Sequence, residues 1–205
     1  MSEERFVVNA LARQALEAIQ EVMGENGLNA VLRTAGLDRF IGNFPPDNLE
    51  PDVKAVEYAR LNAAIEDFYG RGARGFLQRI GKASFQYGVR EQPMLMGLAG
   101  IALKALPQRQ RMKFVLNSVA DALKKSNPAV DAQVGEEGGR LIYTESSCAI
   151  CEGRTSAEPV CHLYVGSLAE AIKWATGVEF KVLETHCKAK GDAFCRFEVQ
   201  EEGGE

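Results

Sequence analysis

All five cysteines of this 205-residue chain, Cys148, Cys151, Cys161, Cys187 and Cys195, lie beyond residue 147, and both histidines, His162 and His186, stand next to one of them. A clustering this uneven asks the last third of the chain to fold so that distant thiols converge. Cys161, Glu184, Cys187 and Cys195 have spacings that suit a closed four-coordinate site. Three thiolates and a carboxylate are soft enough to favour zinc over magnesium or calcium, and such a site would be structural. A set of plain buried thiols is the other reading, because free cysteine is among the most often buried residue types. Disulfides are not expected: the number is odd and the N-terminus lacks the pattern of a secretory leader, so a reducing cytoplasm is the expected setting.

The periodicity divides the chain near Asn127-Pro128. Before it the pattern is helical. Leu11, Ala15, Ala18, Ile19 and Val22 make one apolar stripe, and Leu28, Val31 and Leu32 resume after Glu25-Asn26-Gly27, which predicts two short helices. Pro45, Pro46 and Pro51 mark a loop, and Asp52 is placed to cap the helix that follows. Further helices are expected over 72–89, 94–105 and 108–125. The first of these carries Gly72, Gly75, Gly81 and Gly88. Each lowers helix propensity by about 1 kcal/mol relative to Ala, which points either to close packing or to a merely weak helix.

Beyond Pro128 the alternation becomes that of strands. A hairpin is expected from 129–134 and 140–145, then a helix over 166–176 closed by Gly177, then strands over 178–184 and 194–200. The result is an α+β fold: N-terminal helices packed on a four-stranded antiparallel sheet with ββαββ order in the C-terminal part. A single domain is expected, with 1–127 helical, 128–200 the zinc-binding sheet part and 201–205 a disordered tail.

Composition excludes several function classes. A net charge of −4 and a pI near 5.4 give no footprint for direct nucleic-acid binding. The longest apolar run, 94–103, is too short to span a bilayer. No strand is followed by a Gly-x-Gly-x-x-Gly motif and no Ser/His/Asp set stands out, so no catalytic residues are assigned. An apolar ligand would draw on Phe76, Ile80, Phe85, Met94, Met96 and Met112, candidates for a pocket between helices and sheet.

Four stretches together resemble a known signature: Pro159-Val-Cys161, Gly177-Val178, Val182-Leu-Glu-Thr-His-Cys187 and Lys190-Gly-Asp-Ala-Phe-Cys-Arg-Phe197. They are similar to the C-terminal part of the 4-vinyl-reductase domain family, specifically over about 141–200. That family includes a bacteriochlorophyll-synthesis accessory protein and the sensory domains of phenol- and xylene-responsive activators, and is distantly similar in fold to TRAPP subunits. The resemblance implies zinc at Cys161, Glu184, Cys187 and Cys195, a hydrophobic small molecule or tetrapyrrole as ligand, and a homodimer. It also implies three roles to weigh: a freestanding binding or sensing module, an accessory or reductase acting on a chlorophyll precursor, and an assembly scaffold. The aromatic sensors place a histidine in their pocket, whereas this chain has none before His162. Cys148 and Cys151 form a Cys-x-x-Cys pair. The pair is open to four readings: a second half-site for metal, a redox pair, an alternative to Glu184, or two thiols without a role.

Overall fold

The structure, a computed structural model, describes residues 4–91, 103, 105–126 and 130–200. The candidates Met94 and Met96, most of the expected 94–105 helix, the 127–128 boundary and the expected tail at 201–205 lie outside the described residues.

A short strand β1 (Phe6–Val7) leads into helix α1 (Asn9–Thr34), which is bent where Gly24 leaves helical geometry at φ 74°. The two helices expected on either side of a break are therefore present, joined at Gly24, just ahead of the expected Glu25-Asn26-Gly27. Strand β2 (Val53–Lys54) pairs antiparallel with β1, and helix α2 (Ala55–Tyr69) starts directly after it. Asp52 does not cap α2. Its carboxylate accepts from Asn9 Nδ2 at 2.9 Å, and Glu57, three residues into the turn, accepts the Lys54 N–H instead. Helices α3 (Ala73–Glu91) and α4 (Gln108–Ser126) follow.

The hairpin of β3 (Ala132–Glu137) and β4 (Arg140–Glu145) turns through Gly138 and Gly139, both at positive φ, a two-residue connection tighter than the expected 135–139 loop. Helix α5 (His162–Thr176) begins four residues before its expected start and is closed, as expected, by Gly177 in the left-handed conformation. Strands β5 (Lys181–His186) and β6 (Cys195–Gln200) complete an antiparallel sheet ordered β3-β4-β6-β5. The α+β architecture with ββαββ order is thus the one observed.

Helix α5 lies against β5 on one side and α3 on the other, and α4 packs on α5 and β3. The α3–α5 crossing is set by two glycines. A methyl group on Gly81 would stand 1.9 Å from the Leu163 carbonyl oxygen, and one on Gly166 would stand 2.0 Å from that of Gln78. Each helix therefore rests backbone to backbone on the other. Of the three α3 glycines only Gly81 meets backbone: Gly75 faces open space, as does Gly72 in the turn before the helix, and Gly88 meets the Gln14 side chain.

Candidate metal centre and adjoining cavity

The sheet folds its sulfur donors toward one end. Cys195 opens β6 on the inward face it shares with Phe197 and Val199, all buried. Cys187 follows β5, where an extra residue at Thr185 shifts the register between Glu184 and His186 and re-aims the end of the strand. The loop back to β6 is tied at Cys187: its N–H donates to Asp192 Oδ2 at 2.7 Å and its carbonyl accepts from the Lys190 N–H at 2.9 Å. Cys161 immediately precedes α5. Cys148 stands just before the short turn Ala149–Cys151 that follows β4, and Cys151 is the last residue of that turn.

All five thiols are buried. Cys151 Sγ lies 3.3 Å from Cys161 Sγ and 3.5 Å from both Cys187 and Cys195; Cys161 is 3.5 Å from Cys148 and 3.7 Å from Cys195. Two groups of four donors each lie within 4.8 Å of one another: Cys161, Glu184, Cys187 and Cys195, and Cys148, Cys151, Cys161 and Cys195. The four residues singled out in the sequence therefore come together, and so does the Cys-x-x-Cys pair. Neither histidine joins either group. His162 is kept neutral by burial and by Arg74 and Arg154, which hold its imidazole down to about 4, and His186 stacks on Phe194.

The donor set fits a soft divalent cation. Glu184 Oε2 accepts the Cys161 N–H at 2.8 Å, while Oε1 of the same carboxylate is buried with no hydrogen-bond partner. Burial, reinforced by the negative charge of Cys187, pushes this carboxyl up to about 9. The thiols divide in the same way. Hydrogen bonds from Cys151, Cys161 and Cys195 hold Cys148 well below the ordinary thiol range, whereas Cys161, facing its four sulfur neighbours, is held well above it. Cys151 and Cys187 are likewise held down, to about 5 and about 6, while Cys195 is pushed up with Cys161. The cluster thus favours some thiolates and opposes the rest, a conflict that a bound cation removes. Zinc–thiolate bonds of about 2.3 Å in a tetrahedron place sulfurs about 3.8 Å apart, close to the spacings observed.

Beside the sulfur cluster lies a cavity of about 100 Å³ whose described lining includes Tyr58, Glu145, Cys148, Ile150, Leu163 and Tyr164. Cys148 belongs to both the cavity wall and the cluster. Glu145, buried on β4 directly across from Cys195, is pushed up to about 7 by burial, against hydrogen bonding from Tyr164 and the charge of Arg5. The Tyr164 hydroxyl is also bonded to that of Tyr143.

The candidate pocket residues are placed elsewhere. Ile80 and Met112 are fully buried core, Phe76 stacks on Tyr69 at 3.8 Å, and Phe85 lines a wider, more open depression with Arg90, Glu170 and Trp174. One signal in the sequence pointed to the enclosed cavity. Leu141, Tyr143 and Glu145 alternate onto one face of β4, so the carboxylate sits among inward-facing apolar residues.

The sequence model of the 4-vinyl-reductase domain matches residues 141–201, the stretch that holds Glu145, all five cysteines and Glu184. Residues 141–201 are a 4-vinyl-reductase domain. An uncharacterized protein of Methanocaldococcus jannaschii is 37% identical over 54 residues, which are 26% of this chain and 34% of that protein, so the chain spans about a third of the length of that relative. The family match leaves the helical half unaddressed, but solved structures cover nearly all of it. An oxygen-binding H-NOX domain related to soluble guanylate cyclases superposes with a TM-score of 0.55 over 93% of this chain and 92% of that one, at 13% identity. An H-NOX protein from S. oneidensis in the Fe(II)NO ligation state gives 0.55 over 91% and 97%, at 10% identity. At such identities the likeness is one of fold: the helices before the 4-vinyl-reductase domain and the domain itself make one H-NOX-like architecture. Among the described residues no helix is long and apolar enough to cross a membrane.

Proposed function

We propose that the protein is a zinc-containing binding domain that captures a small hydrophobic molecule, with Cys161, Glu184, Cys187 and Cys195 holding the ion and the neighbouring cavity holding the ligand. The observation that carries this reading is the wall common to both: Cys148 lines the cavity and lies 3.5 Å from the sulfur of Cys161. A closed site built on one helix start and two strand ends would couple metal binding to folding and fix Cys161 against the Cys148 wall.

Two features support a small ligand. The space of about 100 Å³ suits a single ring, whereas drug-sized pockets run to about 300–1,000 Å³. The lining is apolar except for a few hydroxyls, Arg5 and the Glu145 carboxyl, a set that can orient one polar group. A tetrapyrrole, the larger alternative drawn from the family resemblance and from the haem porphyrin of one structure of similar fold, needs more room than this cavity has.

Elemental analysis with native mass spectrometry tests the metal, and the same spectrum tests the homodimer implied by the family. About one zinc per chain, lost in C195S, is the expected result. A full complement of free thiols without metal would overturn it. Displacement of a fluorescent apolar dye by a panel of small aromatics tests the cavity, with binding expected to weaken in L163W.

A further inference from the structure

Six donors converge where a tetrahedral ion takes four. Cys161 and Cys195 belong to both groups of converging donors, and Cys187 closes a triangle with them. The contest is over the fourth vertex. Glu184 reaches it with a carboxylate, one oxygen of which is already engaged by the Cys161 N–H while the other is buried and unpartnered. Cys151 reaches it with a thiol in contact with all three members of the triangle, at 3.3, 3.5 and 3.5 Å. These are close to the edge of about 3.8 Å expected of a zinc–thiolate tetrahedron, so Cys151 has the geometry of a ligand rather than of a bystander.

We propose that Cys151 shares the fourth metal position with Glu184: Cys161, Cys187 and Cys195 would hold the ion throughout, one metal–oxygen bond giving way to one metal–sulfur bond, with the Cys151 thiol proton ending on the freed Glu184 carboxylate, whose Oε1 has no other partner. The inference rests on the zinc reading above and deepens it. Zinc is borderline in softness and accepts either donor, so neither exchange partner is excluded by chemistry. Glu184 released from the ion still accepts the Cys161 N–H, which keeps the start of α5 in register. Cys151 ends the turn whose Cys148, Ala149 and Ile150 wall the cavity, so the exchange occurs where a bound molecule would press on the coordination sphere.

X-ray absorption at the zinc edge of the full chain, with metal content measured on the same samples, reads the first shell directly, because zinc–sulfur bonds of about 2.3 Å separate from zinc–oxygen bonds of about 2.0–2.2 Å. Wild type is expected to show more than three sulfurs per zinc. C151S should keep about one zinc per chain and drop to three sulfurs and one oxygen, and E184Q should keep its zinc and rise to four sulfurs. A wild-type shell of three sulfurs and one oxygen, unmoved in C151S, would overturn the role of Cys151 and leave the zinc site standing. Loss of zinc in E184Q would do the same. No zinc in wild type would instead remove the site itself. Should C151S fail to fold, the wild-type sulfur number and E184Q decide the question between them.

Discussion

Helix α5 meets two different neighbours within its first two turns. At Cys161 its start faces a cluster of sulfur donors from a turn and two strand ends, whereas at Gly166 its backbone lies against that of α3. The first contact depends on side-chain chemistry, since buried thiols and a buried carboxyl oppose one another's ionisation until a cation joins them. The second depends only on shape. On the proposed function the first contact is conditional on metal and the second is not, and each can be broken without touching the other.

Breaking the conditional end should have the largest effect. Stripping zinc with a chelator, or removing a ligand in C195S, is expected to lower unfolding free energy by more than about 4 kcal/mol, because the binding energy of a closed site is folding energy. Denaturant melts with and without chelator measure it. Equal midpoints would mean that the sulfur cluster holds itself together without an ion. The shape-dependent end comes next. G166A puts a methyl group 2.0 Å from the Gln78 carbonyl, so the helices must separate. A loss of about 4 kcal/mol is expected even after the gain of about 1 kcal/mol in helix propensity, with zinc content unchanged. G75A, on the same α3 but facing open space, should instead stabilise by about 0.5–1 kcal/mol. If both alanines behaved alike, the crossing would not be what holds these helices.

The contrast also explains what could be read from the sequence. The convergence of the donors was legible because it rests on residue type: cysteine and glutamate at given spacings can be named as candidates before the fold is known. The strand pattern and Gly177 as helix terminator were legible for the same reason. The crossing was not. Gly72, Gly75, Gly81 and Gly88 look alike in the sequence, and only the partner surface at Leu163 and Ser167 separates Gly81 from the others. The expected pocket went astray for a related reason. Ile80 and Met112 are apolar on a helix face, as core and as cavity lining both require, and the sequence does not say which faces are left unfilled. The early start of α5 was hidden because residues 162–165 carry neither an N-cap side chain nor a helix-specific spacing of their own; the Glu184 carboxylate engages the Cys161 N–H from a distant strand.

Glu145 lies on β4 opposite Cys195 and in the cavity wall, and its titration sharpens the comparison. An unfolded carboxyl of this kind titrates near 4.5 and the buried one at about 7. Between these values the folded chain keeps a proton that the unfolded chain has released, so stability falls as pH rises from about 4.5 to about 7 and is level above it. The shift corresponds to about 3 kcal/mol. E145Q cannot ionise and should lack this slope, so the difference between wild type and E145Q in urea melts at pH 5.5 and pH 8 isolates it from acid release of metal. A flat difference would place Glu145 in contact with water or with the ion's field.

The smallest expected loss of stability tests whether Tyr164 links the cavity to that carboxyl. Its hydroxyl bonds that of Tyr143 and stabilises the ionised form of Glu145, while its ring packs edge-on against Tyr143 and Phe197. Y164F keeps the ring and removes the hydroxyl. The loss should be about 1–2 kcal/mol, because the fully buried Tyr143 hydroxyl is left without the Tyr164 hydroxyl as its partner. The sign of the second effect is the more telling. Without the donor from Tyr164 the ionised carboxyl is less favoured, so the upper end of the Glu145 slope should move to higher pH, and adding E145Q to Y164F should abolish the movement. A midpoint that stays in place in Y164F would separate the two residues and leave the tyrosine pair as packing alone.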